Sequence, residues 1–234
     1  MVRYAQRSKM GDGHSLSSAS FAQALADGGA AHRPGTGRRE RRAAETRLRL
    51  FRCALQLFSE RGFPNVTVED ITEAADVGKG TFFNYFESKD HVLCVMAEIQ
   101  LGKVAEALGR AADSKQTIQS VLHRLFLRLA EEPGRSPEFA RAMISSFLAS
   151  KVVRQLIARN MQNGRKMGAE IVAAGQERGE INPQLKKDKV AMQMLQAIMG
   201  TVLFWSLHEE PALKVWMEDS FQYFWRAIAA SGKE

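Results

Sequence analysis

A stretch of seven residues, KGTFFNY, carries the side chains of this 234-residue chain that are best suited to binding chemistry. The cation of Lys79 can pair with a phosphate or a guanine, and Thr81 and Asn84 can donate or accept hydrogen bonds at base edges. The phenol of Tyr85 can bond a phosphate oxygen, and Gly80 lets another backbone approach closely. These residue types predict contacts with DNA.

The same stretch must be held in place by its aromatic residues. Phe82 and Phe86 are spaced i and i+4, so they share one face of a helix and can anchor it to neighbouring helices. Phe83 then faces outward with the polar residues. We therefore predict a short helix from Lys79 to about Phe86, with one buried and one free face.

Two further helices are expected before this one. The first is indicated from Thr46 by apolar residues at three- and four-residue spacing, namely Leu48, Phe51, Leu55 and Phe58. Gly62 and Pro64 predict its end. Thr67 with Asp70 three residues later resembles a capping box, which predicts the start of a second helix. Two short helices buttressed by a longer one form a helix-turn-helix, in which the second short helix enters the major groove of DNA.

The rest of the chain is also helical in pattern, and no convincing alternating strand is found. Ser88 is a candidate N-cap for a long fourth helix reaching about Ala111. The later candidate segments are Thr117 to Glu131, Pro137 to Ser150, Arg154 to Arg178, Lys187 to His208 and Leu213 to Ala230. The predicted fold class is all-α.

Residues Thr46 to Leu93, TRLRLFRCALQLFSERGFPNVTVEDITEAADVGKGTFFNYFESKDHVL, resemble the tetracycline-repressor (TetR/AcrR) family of bacterial transcriptional regulators. Residues 1–38 are rich in Ser, Gly and Ala and are expected to form a disordered extension. The resemblance implies that a helix-turn-helix domain with a basic arm (39–92) is followed by a helical effector-binding and dimerisation domain (93–234). It also implies that Lys79 to Tyr85 is the recognition helix and that Lys89 clamps a phosphate. Asp76 stands where the family usually has Gly, Gly78 where it has Ser or Thr, and Phe83 where Tyr is common.

The predicted DNA contacts combine this helix with the basic run RRERRAAETR, Arg38 to Arg47. Basic arms can insert Arg into the adjacent minor groove, although a solvated charge run remains an equal alternative. The predicted DNA-binding residues are Arg39, Arg41, Arg42, Thr67, Lys79, Gly80, Thr81, Phe83, Asn84, Tyr85 and Lys89.

Two other residue sets are predicted within the later helices. Flexible Met and aromatic side chains can line an adaptable apolar site, and the candidates for an effector pocket are Met143, Phe147, Met167, Met199 and Trp205. The last two helices carry more apolar surface than one layer of helices covers, which predicts a homodimer, with packing in the core of a monomer as the alternative. The candidate interface residues are Leu195, Met199, Val202, Leu203, Phe221, Phe224 and Trp225.

Composition and charge limit the partners, the cellular compartment and the membrane association that are expected. The net charge of +7 is concentrated before Leu50, which permits a polyanionic partner such as double-stranded DNA. Cys53 and Cys94 lie far apart and form no CxxC, so we expect a cytoplasmic protein with apolar filler thiols and without a disulfide or zinc site. The apolar run Ala191 to Leu207 is interrupted and is expected to fall short of a membrane span.

No catalytic set is found in the sequence. GKGT, Gly78 to Thr81, does not complete a phosphate-binding loop because Glu73 occupies the position of its first Gly. We expect no catalytic residues, no metal and no cofactor. The expected function is a ligand-responsive transcriptional repressor that binds a palindromic operator as a homodimer. The alternatives are an all-α enzyme and a helical protein-interaction module that keeps the helix-turn-helix only as a scaffold.

Overall fold

The computed structural model describes residues 38–149, 151–208 and 210–230, and within them it is helical, as the sequence predicts. The helices are α1 (Arg38–Arg61), α2 (Val68–Ala74), α3 (Lys79–Phe83), α4 (Lys89–Ala111), α5 (Ile118–Leu129), α6 (Pro137–Ala149), α7 (Lys151–Glu177), α8 (Lys187–His208) and α9 (Leu213–Ile228). Single 3₁₀ turns lie at Phe63–Asn65 and Pro133–Arg135. The described residues contain no strand, and one antiparallel bridge joins Ile181 to Ala229. The predicted extension before residue 38 lies outside the described residues.

The helix ends are set by local chemistry. The N–H of Asp70 donates to the Thr67 hydroxyl at 3.1 Å, and the N–H of Thr67 donates to the Asp70 carboxylate at 2.7 Å, which completes the predicted capping box. Ser88 caps α4 by accepting from the N–H of His91 at 3.2 Å. Gly62 ends α1 at φ 78, a backbone conformation that glycine adopts most readily.

The first helix begins earlier than predicted. Arg38 to Arg47, expected as an arm before the helix, forms the first turns of the 24-residue α1. Arg, Glu and Ala are good helix formers, and this run contains no Gly or Pro to stop the helix. The segment is therefore not the separate arm that was expected, and insertion of its Arg side chains into a minor groove stays a prediction.

One hydrophobic core runs through the described chain, from Leu48 in α1 to Ile228 in α9. Helix α4 packs on α7 and α5, and α7, α8 and α9 pack in series beside it. Helix α6 contacts both α1 and α8, so it joins the first three helices to the later ones. The boundary between residues 92 and 93 remains a proposal, because the core continues across it.

The sequence analysis expected the apolar run Ala191 to Leu207 to be too short for a membrane span, but α8 extends beyond it at both ends. Its 22 residues are long and apolar enough, by length and composition, to cross a bilayer. In this fold α8 packs against α6, α7 and α9, and Val190, Ala191 and Met194 lie in the core. Part of its apolar surface is therefore that of a packed helix, and another part is exposed at Phe204 and Leu207.

Candidate nucleic-acid interface and ligand cavity

Helix α3 has one buried and one exposed face. Phe82 and Phe86 are fully buried, and their ring centroids lie 5.4 Å apart. On the other side Lys79, Phe83 and Asn84 are exposed, and 49% of the Phe83 surface is open to solvent. The two buried rings therefore fix a helix whose remaining side chains are available to a partner.

The turn before α3 takes the conformation expected of the family. Asp76 has φ 50, in the left-handed region that Asp tolerates better than most residues. Gly78 starts α3 without a side-chain cap, and both Gly78 and Gly80 have open space where a Cβ would be. No described residue therefore crowds the backbone at Gly80, and another molecule can approach it there.

Lys79 is the cation of the exposed face, and it is paired within the chain. Its ammonium donates to the carboxylate of Glu69 in α2, and both side chains are more than half exposed. The hydrogen bond from Lys79 holds the pKa of Glu69 below its ordinary value. Water screens both charges of an exposed pair of this kind, so a phosphate can compete for the lysine.

Lys89 has a different role from the predicted phosphate clamp. Its ammonium donates to the carbonyl oxygens of Phe63 and Val66, both at 2.9 Å, and lies 4.6 Å from the centre of the Phe63 ring. A longer bond of 3.4 Å reaches the carbonyl of Pro64. The lysine ties the start of α4 to the turn after α1, and its hydrogen atoms are not free for phosphate. The prediction for Lys89 is corrected for this reason.

The other predicted DNA-binding residues are distributed over three places. Arg39 and Arg42 are exposed at the start of α1, whereas the side chain of Arg41 lies outside the described residues. Thr67 is exposed and caps α2. Thr81 and Tyr85 are half-buried beside α3. The structure thus brings Lys79, Gly80, Thr81, Phe83, Asn84 and Tyr85 together on α3 or directly after it.

A cavity of about 150 Å³ lies among the later helices. Side chains of α4, α5, α6, α7 and α8 form its wall, which is almost entirely apolar. Met143, Phe147 and Met199, three of the predicted pocket residues, line it together with Leu195.

Two predicted pocket residues lie elsewhere. Trp205 is buried, and its indole N–H donates to the carbonyl of Pro211 at 3.0 Å, which turns it toward the loop before α9. Met167 is half-buried on α7 and does not line the cavity. Both assignments to the pocket are corrected, because helical spacing does not define which way each residue faces.

The cavity wall also contains polar residues that the sequence analysis missed, namely Gln100, Asn160 and Arg165. Gln100 continues the apolar series of Leu93 and Met96 along α4, and Asn160 lies between Ile157 and Gly164 on α7. An amide within a core-facing helical period is the signal that could have identified these residues.

Several predicted interface residues belong to the core instead. Phe221 and Phe224 are buried, and their rings lie 5.4 and 5.5 Å from that of Phe126 in α5. Val202 is also buried, and Trp225 is half-buried. The large apolar side chains that are exposed on α8 and α9 are Leu203, Phe204, Leu207, Val215 and Tyr223. We call these five residues the apolar face; only Leu203 was predicted.

The two thiols are poor nucleophiles. Burial, followed by nearby carboxylates such as Asp90 and Glu98, raises the pKa of Cys94 to about 11. Burial also raises the pKa of the half-buried Cys53. Among the described residues, no group of three or more His, Cys, Asp or Glu side chains could hold a metal ion.

Comparison with known proteins finds a family match for the helix-turn-helix region of the chain. Residues 50–94 match the family described as "Bacterial regulatory proteins, tetR family". The chain is 31% identical to the HTH-type transcriptional regulator TcmR of Streptomyces glaucescens over 148 residues, which is 53% of this chain and 65% of TcmR, just under two thirds of its length. It is 29% identical to the HTH-type transcriptional repressor DhaR of Mycobacterium sp. (strain GP1), with 63% of this chain and 76% of DhaR covered.

A solved structure extends the likeness to the whole fold. The transcriptional regulator FadR from Bacillus subtilis, in complex with stearoyl-CoA, superposes with a TM-score of 0.61 at 18% identity. The match covers 80% of this chain and 99% of that one. Residues 50–94 thus match the TetR family of bacterial regulatory proteins, and the fold through the later helices is similar to that of a solved transcriptional regulator.

Proposed function

We propose that the protein is a transcriptional regulator that reads DNA through α3 and responds to a small molecule bound among its later helices. The observation that carries this proposal is the division of α3 into a face fixed by Phe82 and Phe86 and a face formed by Lys79, Phe83 and Asn84. A helix held in this way can enter a major groove without losing its own packing. Such a regulator works in the cytoplasm, and we propose repression as its mode.

The proposed DNA contacts divide into reading and positioning groups. Asn84 and Thr81 read base edges, and the open space at Gly80 lets the backbone approach. Lys79 leaves Glu69 for a phosphate, and Arg39 and Arg42 at the start of α1 contact phosphates from the side. Thr67 and Tyr85 add neutral hydrogen bonds to the backbone of the DNA.

A salt titration on random duplex DNA tests DNA binding. For a dimer, Lys79→Met removes about two phosphate contacts and should reduce the slope of log affinity against log salt by about two. Lys187→Met is the matched control, because Lys187 is a partly exposed lysine on α8 paired with Glu170. Equal slopes for both variants would remove Lys79 from the interface.

We also propose that the protein is a homodimer formed through the apolar face. Phe204 and Leu207 are 57% and 62% exposed on α8, and Tyr223 is 73% exposed on α9. Large apolar side chains exposed on neighbouring helices are typical of an association surface. A twofold dimer would present two α3 helices to successive major grooves, roughly 34–36 Å apart, and so select a palindromic operator.

Sedimentation of a single variant tests this arrangement. Phe204→Glu should convert the dimer to a folded monomer, since it places a charge on the apolar face. Phe83→Glu is the control, because Phe83 is also an exposed phenylalanine but lies on α3 and not on the apolar face. A monomeric wild type, or a dimer that survives Phe204→Glu, would refute the proposed interface.

The cavity is the proposed effector site. The related fold of FadR is described with stearoyl-CoA, and the regulator SmeT, of similar fold, with triclosan. Ligand entry would act on α4, which begins at Lys89 shortly after α3, and on α6, which packs on α1 and is tied to it through the hydroxyls of Ser59 and Ser136. A shift of either helix alters the spacing of the two α3 helices, so the ligand shifts the population away from the DNA-binding state.

The alternative is a protein-interaction module that keeps the helix-turn-helix as a scaffold. The exposed ring of Phe83, at a position where the family often has Tyr, favours it. Such a module would bind random duplex weakly and without the steep salt dependence expected of a DNA-binding protein.

A further inference from the structure

Two buried polar atoms on residues of the cavity wall lack hydrogen-bond partners. They are Oε1 of Gln100 on α4 and Nδ2 of Asn160 on α7. Buried polar atoms in folded proteins are nearly always paired, because an unpaired one loses its bonds to water without replacement. Gln100 and Asn160 both line the same apolar cavity, so a molecule bound there is the candidate partner for the unpaired acceptor and the unpaired donor.

The orientation of the Gln100 amide is fixed from behind. Its Nε2 donates to the Glu132 carboxylate at 3.0 Å, and that carboxylate accepts from the buried ammonium of Lys103 at 2.6 Å. Lys103 also donates to the carbonyl of Arg128 at 2.6 Å. A rotated amide would set its oxygen against the Glu132 carboxylate, which has no proton to donate. Gln100 therefore presents an acceptor on its other side.

Asn160 is less constrained. Among the described residues no hydrogen bond holds its Nδ2, so a rotation of the amide can offer either a donor or an acceptor. A ligand group that donates a hydrogen bond must meet the fixed oxygen of Gln100. A ligand group that accepts one is matched by the amide of Asn160, which can rotate. Selectivity should come from Gln100.

The size and charge of the cavity limit the ligand further. A cavity of about 150 Å³ is the size that accommodates benzene in another protein. An anionic head would face the Gln100 oxygen, with the Glu132 carboxylate behind it, and would lose its hydration against an apolar wall. The half-buried guanidinium of Arg165 is the one wall group that would favour an anion, so the anion must be part of the test.

We propose that the effector is a compact, mostly apolar molecule with an uncharged hydrogen-bond donor, a hydroxyl or an amide N–H, which binds Oε1 of Gln100. Its acceptor receives a hydrogen bond from Asn160. This inference rests on the proposed function of the cavity as an effector site, and it adds the chemical class of the ligand.

Calorimetry with the full chain tests the inference through four probes of similar size: phenol, anisole, toluene and benzoate. Phenol, which is uncharged at pH 7, offers a donor and an acceptor, anisole only an acceptor, toluene neither, and benzoate a negative charge. Phenol should bind about fivefold more tightly than anisole or toluene, the gain of roughly one net hydrogen bond, and more tightly than benzoate. Equal affinities for phenol and anisole, or a preference for benzoate, would overturn the inference.

A variant connects the preference to its residue. Gln100→Leu should bring phenol and anisole to the same affinity, whereas Gln193→Leu, at an exposed glutamine of α8 outside the cavity wall, should keep the wild-type preference. If the two amides serve only to pair with each other, Gln100→Leu will leave the phenol preference intact, and the inference is wrong. Thermal melting identifies a variant that does not fold, and the wild-type probe series decides the question without any variant.

DNA release is measured separately. If phenol is preferred but does not weaken DNA binding, the donor inference stands and the effector proposal fails. If all four probes weaken DNA binding with equal affinity, the effector site stands and the donor inference fails. If none of the probes binds, both are refuted.

Discussion

Phe82 and Phe83 are neighbours in α3 with opposite surroundings, and their replacement should separate stability from DNA binding. Phe82 is fully buried, and its ring lies 5.4 Å from that of Phe86 and 5.5 Å from that of Phe83. Removal of a buried phenyl ring costs the burial of its carbons and leaves a void. Phe82→Ala should therefore lower the free energy of unfolding by about 3–5 kcal/mol.

The same substitution one residue later should have a small effect on stability. Phe83 is 49% exposed, so Phe83→Ala should change the free energy of unfolding by about 1 kcal/mol or less. Urea unfolding at one fixed protein concentration measures both variants. In thermal melting, the difference predicted for Phe82→Ala corresponds to a midpoint roughly 6–20 °C lower for a chain of this size.

DNA binding completes the comparison. Phe83→Ala should weaken binding to a duplex while its melting curve stays close to that of the wild type. Phe82→Ala should weaken binding and stability together, because the helix loses its anchor. Equal destabilisation by the two substitutions, or a larger effect at Phe83, would refute the assignment of the two faces of α3.

Two other predictions concern close packing and thiol reactivity. A Cβ at Gly175 would lie 2.6 Å from Cδ1 of the buried Ile181, so Gly175→Ala should destabilise the protein by about 1–3 kcal/mol. Gly109→Ala is the control: it has open space in α4 and should stabilise the protein by about 0.5–1 kcal/mol. Urea unfolding measures both variants, and a stabilising Gly175→Ala would contradict the packing. Because the pKa of Cys94 is raised to about 11 from an ordinary 9.0, its thiolate fraction at pH 8 falls about 100-fold, and iodoacetamide should label Cys53 first by mass spectrometry. Equally fast labelling of both thiols in the folded protein would show that Cys94 is not protected. The free energy of unfolding should fall as the pH rises above 9, because Cys94 can ionise in the unfolded chain but stays protonated in the folded one.

The elements that the sequence predicted well are those set by local chemistry. The capping box of Thr67 and Asp70, the Ser88 cap and the bounds of α8 depend on residues close together in the chain, and the structure has each as expected. The burial of Phe82 and Phe86 was also predictable from their i and i+4 spacing. The predicted end of the helix at about Phe86 is corrected, because α3 ends at Phe83 and Phe86 lies in the turn after it, where its N–H donates to the carbonyl of Phe82 at 2.9 Å.

The remaining features depend on tertiary contacts. Periodicity identified Phe221 and Phe224 as apolar, but it could not indicate that they pack on Phe126 within the chain and do not face a second copy. The basic run was expected as an arm because of its charge and its position, whereas its helix-forming residues make it the first turns of α1. The network behind Gln100 joins residues about thirty positions apart, so no local pattern predicts it.

The most direct test of the proposed function is selection of bound sites from a random duplex pool. The wild type should enrich a palindrome with two half-sites. The variant with both Lys79→Ala and Asn84→Ala should enrich a different or weaker consensus, whereas Lys187→Ala should enrich the wild-type sequence. An unchanged consensus in the double variant, or no enrichment by the wild type, would contradict the assignment of α3 as the helix that reads DNA.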